Sequence, residues 1–223
     1  MIVFDLDGTL IDSSRDLADA ASALVQSYGG PALTTADVVP LVGHGAATLV
    51  ARALAAAGLD PAIPGALERF LSLYDERLTA HTVPYDGIHE VLSALVARGP
   101  MAVLTNKPLA PTVALLEALG LRGFFDVVLG GDGPLPRKPD PTALRSIMAA
   151  ATGPAVFVGD SPVDATTAAA ADCPFILAAY GFGAAQFGAS LPAGMPLARH
   201  PRELVALADT LTFDAARMPI VMR

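Results

Sequence analysis

The chain has a single cysteine, Cys173, so neither an internal disulfide nor a cysteine-built metal site can form. It precedes Pro174 and an apolar run, the setting of an ordinary packing residue. Positive charge is scarce too: 14 lysines and arginines face 22 aspartates and glutamates, for a net charge of −8. No basic cluster or aromatic–basic run offsets that balance, which argues against a nucleic-acid partner. A phosphorylated substrate would need cations placed locally, because the overall field repels it. Long apolar runs are also lacking. The most apolar stretch, 168–185, is broken by Asp172, Pro174, Gly181 and Gly183, so no membrane span or membrane partner is expected. The apolar opening is short, lacks a basic region and runs straight into Asp5 and Asp7, unlike a secretory signal. A cytoplasmic protein, monomer or homodimer, is the expectation.

What is abundant is apolar surface. Of 223 residues 53% are hydrophobic and only 16% charged, the composition of a buried core in one large domain or two smaller ones. The chain opens Ile2-Val3-Phe4-Asp5-Leu6-Asp7-Gly8-Thr9-Leu10. The first three residues read as a buried strand. Asp5 then falls at its carboxyl end, where open α/β sheets place ligands. Two carboxylates crowded there repel each other unless a cation or a proton lies between them. Metal-assisted chemistry follows most simply.

From 15 to 82 the pattern is helical, with no convincing strand. Leu17, Ala20, Ala21, Leu24, Val25 and Tyr28 share one helical face that stops at Gly29-Gly30-Pro31. Thr34 or Thr35 can cap a helix running to Val42. A third helix follows from 46 to 57, and Leu67, Phe70, Leu71, Tyr74 and Leu78 make a fourth stripe. Beyond Pro84 an amphipathic helix ends at Gly99-Pro100. Strands at 101–104, 125–129, 155–158 and 175–178 then alternate with helices at 109–119, 141–151 and 163–171. That rhythm predicts a parallel sheet wrapped by helices. The bundle at 15–82 therefore interrupts a discontinuous α/β core formed by 1–14 and 83–223. The tail 213–223 has no readable pattern.

The strand ends carry the chemistry. After the first come Asp5 and Asp7. After the second come Thr105, Asn106 and Lys107, and beyond the third come Arg137-Lys138-Pro139. Gly159-Asp160-Ser161-Pro162-Val163-Asp164 follows the fourth. All fall on one rim. Mg²⁺ takes hard oxygen ligands and keeps several waters; Asp5, Asp7 and Asp160 are the candidate metal ligands, with Asp164 in support, and Asp5, Asp160 and one backbone carbonyl would suffice. Lys138, stiffened by Pro139, suits a developing phosphoryl charge. Thr105 and Asn106 suit phosphate oxygens. His44, flanked by Gly43 and Gly45, reads as the bundle's reach toward the site.

Four of these pieces, Asp5-Leu6-Asp7-Gly8-Thr9, Thr105, Lys138 and Gly159-Asp160-Ser161-x-x-Asp164, occur in an order that resembles the haloacid dehalogenase superfamily. The resemblance implies a Rossmann-like parallel sheet with helices on both faces plus an inserted all-helical cap domain. It also implies Asp5 as a nucleophile that becomes phosphorylated and Asp7 as general acid and base. Thr105 and Lys138 would hold the phosphoryl group, and the last acidic motif would hold Mg²⁺. Val42-Gly43-His44-Gly45-Ala46, Thr105-Asn106-Lys107-Pro108, Gly130-Gly131-Asp132 and Tyr180-Gly181-Phe182 are similar to the phosphoglycolate phosphatase branch. The departures are Pro162-Val163, in place of a basic–polar pair, and Gly183, where asparagine is common. The expected partner is a small phosphorylated metabolite, most simply 2-phosphoglycolate, with Gly43, His44 and Gly45 touching it. A phosphatase of another small phosphate, a phosphomutase and a non-catalytic phospho-receiver stay open as alternatives.

Overall fold

A computed structural model of the chain describes residues 1–151, 153–190 and 194–217. Its first strand, β1 (Ile2–Phe4), is buried along its whole length and lies inside a six-stranded sheet. In chain order the elements are β1, β2 (Ile11–Asp12), α1 (Ser14–Ser27), α2 (Thr35–Val38), α3 (Ala46–Ala56) and α4 (Ala66–Asp75). Next come β3 (Val83–Pro84), α5 (Ile88–Val96), β4 (Met101–Leu104), α6 (Leu109–Ala118), β5 (Val127–Leu129) and α7 (Thr142–Ala150). The chain then passes through β6 (Val156–Gly159), α8 (Pro162–Ala170), β7 (Phe175–Ala178), β8 (Leu197–Ala198) and α9 (Leu204–Arg217).

The sheet runs β5-β4-β1-β6-β7-β8, and every pairing in it is parallel. Strand alternation sorts the apolar residues onto two faces. Ile2, Phe4, Met101, Val103, Val156 and Val158 pack with α5, α6 and α9 on one side. Val3, Ala102, Leu104 and Phe157 pack with α7 and α8 on the other. Burial on both faces is why these strands read as continuous apolar runs. Register then aligns the rim: Phe4 pairs with Val103 and with Val158, so Asp5 falls level with Leu104 and Gly159, one residue before Thr105 and Asp160.

Helices α1–α4 close around a separate core that includes Leu17, Leu24, Val38, Leu54, Phe70 and Tyr74. Thr34 caps α2 in a reciprocal box with Asp37. The helix stops at Val38 rather than reaching 42, because Pro40 withdraws an N–H and crowds the preceding turn. Val39–Leu41 tightens into a 3₁₀ turn instead. Sequence pattern shows no trace of β2, β3 or β8, each two residues long and too short for alternation to register. The described part of the tail belongs to α9, and 218–223 lie outside the described residues.

The bundle joins the core at one neck. There β2 and β3 pair antiparallel, Ile11 opposite Pro84 and Asp12 opposite Val83. Just beyond, the fully buried Asp16 binds the returning chain. Its Oδ2 accepts from the His81 N–H at 2.9 Å, the Thr82 N–H at 2.8 Å and the Thr82 hydroxyl at 2.7 Å. The Nδ1 of His81 lies 2.9 Å from Oδ1. Burial alone would raise the Asp16 pKa, but the hydrogen bonds from His81 and Thr82 hold it below the ordinary value. Its stabilising contribution is therefore full above the ordinary carboxylate pKa and disappears as pH falls through the lowered one. Asp16→Ala strands two backbone donors and a hydroxyl, and should cost about 2–4 kcal/mol. The check is the urea midpoint at unchanged slope. A midpoint equal to wild type would mean that the clamp adds nothing.

Candidate active site

Asp5 follows β1 and is held in register by its N–H on the Val158 carbonyl, at 2.9 Å. Its carboxylate meets the ammonium of Lys138 at 2.7 Å, while Lys138 reaches Asp164 at 2.6 Å. The contact to Asp5 is a charge contact rather than an aligned hydrogen bond, and Oδ1 of Asp5 has no directional partner. Asp164 spends its other oxygen on the Ser161 hydroxyl, 2.6 Å, and on the Ser161 N–H, 3.1 Å, as the capping partner of α8. Asp160 is 2% exposed and accepts from the Gly183 N–H at 2.7 Å.

Glycine is required around Asp160. Gly8, at φ +88°, would drive any Cβ into that carboxylate, and a Cβ at Gly183 would stand 2.7 Å from its Oδ2. The small residue at 183 therefore lets the backbone N–H reach Asp160 directly.

One oxygen each of Asp5, Asp160 and Asp164 lies within 4.8 Å of the others. Three buried acids share one ammonium. Burial, and then Asp164, push Asp5 up to about 7 against the pull of Lys138. Burial, followed by Asp164 and Asp5, raises Asp160 well above its usual range. Lys138 is the converse case. Burial would lower it, but Asp164 and Asp5 outweigh that and keep it charged.

Asp7 is turned elsewhere. Its carboxylate accepts from the Ser13 hydroxyl at 2.6 Å and lies 3.2 Å from the ammonium of Lys107, outside the three-acid group. Lys107 also donates to the Tyr74 hydroxyl of α4, at 2.8 Å. Burial would lower its pKa, and Asp7 and then Tyr74 more than offset that.

A cavity of about 60 Å³ lies between core and bundle. The rim supplies Asp5, Asp7, Thr105, Asn106, Lys107, Asp160 and Ser161, and the bundle supplies an apolar wall that includes Leu49, Phe70 and Tyr74. Gly43 and Gly45 line it, whereas His44 between them does not. The flanking glycines bring backbone to the cavity, not the imidazole. Asn106 joins two loops, its amide donating to the carbonyls of Gly43 and Lys138, each at 2.9 Å. The Thr105 hydroxyl accepts from the Lys107 N–H at 3.2 Å. Sequence pattern did not point to Tyr74, Phe182 or Gln186 as lining residues. Tyr74 comes from a helix stripe, and Phe182 and Gln186 from the 3₁₀ turns within Phe182–Ser190; Phe182 belongs to a motif quoted for the resemblance, without a role assigned to it.

A model of the haloacid dehalogenase-like hydrolases matches residues 1–172. The chain belongs to that family. This hydrolase is 42% identical to a phosphoglycolate phosphatase of Rhodospirillum rubrum over 192 residues, 81% of this chain and 80% of that protein. It is 39% identical to a phosphoglycolate phosphatase of Caulobacter vibrioides over 188 residues, 81% of this chain and 79% of that one. Among solved structures it superposes on a predicted phosphoglycolate phosphatase from Haemophilus somnus with TM-score 0.82 at 28% identity. That match covers 93% of this chain and 97% of the other. No helix among the described residues is long and apolar enough to cross a membrane.

The hydrolase's acid cluster fits a divalent cation. Its donors are all hard oxygens, Asp5 keeps an oxygen without a directional partner, and the cluster holds more negative charge than Lys138 offsets. Adding Mg²⁺ or Mn²⁺ to chelator-treated protein at about 100 times its Kd should raise Tm by about 5–10 °C. Asp160→Asn should lose that shift, yet melt no lower than wild type in chelator, because one repelling charge is gone. A wild-type Tm indifferent to both cations would mean that the cluster holds neither.

Proposed function

We propose that this hydrolase is a Mg²⁺-dependent phosphatase of small phosphomonoesters, with 2-phosphoglycolate as substrate, acting through a phosphoaspartyl intermediate. The observation that carries the reading is the division of labour between Asp5 and Asp7. Two carboxylates on one turn have opposite surroundings: one is fixed on Lys138 inside a buried acid cluster, the other faces the cavity between Ser13 and Lys107. Asp5 is fixed where a nucleophile must stand, and Asp7 faces the cavity where it can exchange a proton with a leaving group.

A carboxylate oxygen of Asp5 attacks phosphorus. The bond to the ester oxygen breaks with its electron pair, and Asp7 gives that oxygen a proton. Water then attacks the phosphoaspartate, Asp7 takes the proton back, and Asp5 is freed as phosphate leaves. Asp5 and Asp160, with Asp164 beside them, would hold the cation, which when bound offsets the charge of the phosphoryl group. Lys138 keeps Asp5 oriented and neutralises charge from beneath, and Thr105 hydrogen-bonds a phosphoryl oxygen. The bundle at 15–82 serves as a cap over the discontinuous core of 1–14 and 83–223, excluding bulk water. Gly43 and Gly45 offer backbone to the substrate, and the role expected for His44 passes to them. The names of the relatives and the small cavity support the choice of ester.

Phosphate release should be measured from 2-phosphoglycolate, hexose phosphates, nucleotides and pyrophosphate, with and without Mg²⁺. Metal-dependent release strongest from 2-phosphoglycolate is expected. Asp5→Asn should abolish turnover, and Asp7→Asn should lower kcat by about 10²–10⁴. Full activity in Asp5→Asn would sink the phosphoaspartyl route.

A further inference from the structure

Among the described residues lining the cavity, three are acids (Asp5, Asp7 and Asp160) and one is a cation, Lys107. Lys138 lies beneath the floor, committed to Asp5 and Asp164. For a substrate with an anionic group besides its phosphate, Lys107 is the one cationic side chain among those described lining residues. The side chain of Lys107 is 5% exposed and is held on two sides, by Asp7 at 3.2 Å and by the Tyr74 hydroxyl at 2.8 Å. An ammonium has three N–H donors. Asp7 accepts through both oxygens, at 3.3 and 3.2 Å, and Tyr74 through its hydroxyl; a substrate carboxylate would take over one of the two long contacts to Asp7.

Position adds to charge. In the mechanism above the ester oxygen hydrogen-bonds to Asp7. In a 2-phosphoryloxy acid the carboxylate carbon is two bonds from that oxygen, so a cation touching Asp7 is within reach of the carboxylate. We propose that Lys107 recognises the substrate's carboxylate, with Tyr74 as its positioning residue. This rests on the phosphoglycolate reading and adds the residue that selects the acid over a neutral ester.

Tyr74 is well placed for its part. It stacks on Phe70, with ring centroids 6.0 Å apart and planes 2° from parallel, and its helix belongs to the cap. Its hydroxyl accepts from the ammonium at 2.8 Å and its ring centroid lies 4.3 Å from it, so Tyr74 fixes Lys107 at the cavity wall. The carboxylate pocket is complete only with the cap over the core, since one of its two walls is a cap side chain.

The test compares kcat/KM for 2-phosphoglycolate with that for 2-hydroxyethyl phosphate, a neutral ester of nearly the same size, in wild type, Lys107→Met and Tyr74→Phe. The ratio of the two constants does not depend on how much of a variant is folded. Wild type should favour the acid, and Lys107→Met should lower the ratio on the order of 100-fold, the scale of a lost charged hydrogen bond. Tyr74→Phe should lower it by less. A Lys107→Met enzyme slower on both esters with the wild-type ratio intact would overturn the proposal and leave the phosphoglycolate reading standing. That outcome would make Lys107 a holder of Asp7 alone. A wild type with no preference for the acid would defeat the substrate reading itself, and the assignment of Lys107 with it. An unchanged ratio in Tyr74→Phe would remove Tyr74 from the pocket.

Discussion

The ammonium of Lys138 lies between Asp5 and Asp164 in a recess walled by apolar strands, with the ring of Phe157 5.4 Å below. Without it, three acids would share a nearly dry pocket, and each would have to give up its charge or the fold would have to open. Removing one member of a buried ion pair strands the other at a cost of about 3–5 kcal/mol. The positions of Asp5, of the start of α8 and of the loop carrying Asn106 all follow from that contact. Asn106 is tied to the backbone of Lys138 itself.

This arrangement is strained in charge but rigid in shape. The sheet beneath supplies the rigidity, with Val3, Phe4, Ala102, Val103, Val156 and Phe157 fully buried. Their packing fixes where each strand ends and hence where each acid begins. The excess negative charge at the rim is the feature that suits it to a divalent cation. Stability is given up at this acidic rim and recovered in the layers below.

Much of this was legible from sequence because each chemical residue follows a strand, and buried parallel strands announce themselves as short apolar runs. Asp5, Thr105 and Asp160 were placed by that rule alone, and β4 and β7 matched the expected limits. What could not be read came together from distant parts of the chain. Tyr74 reaches Lys107 across 33 positions, and Asp16 reaches Thr82 across 66. In the sequence Tyr74 is one residue of an apolar stripe and Asp16 one polar residue in a helix. Their second roles depend on tertiary neighbours that no local window contains. His44 shows the opposite limit. Gly43 and Gly45 line the cavity, and the imidazole between them does not.

The neck of β2 and β3 fixes the two ends of the helical insert at strand-pairing distance, as the ends of a hairpin are fixed. To the sheet, the whole bundle is a single closed loop, and the entropy of closing a loop grows only with the logarithm of its length. Doubling the insert would add about 0.6 kcal/mol. The scaffold is therefore nearly indifferent to how large a structure is threaded through that gap. The insert can thus change in size while the sheet and its acids remain as they are.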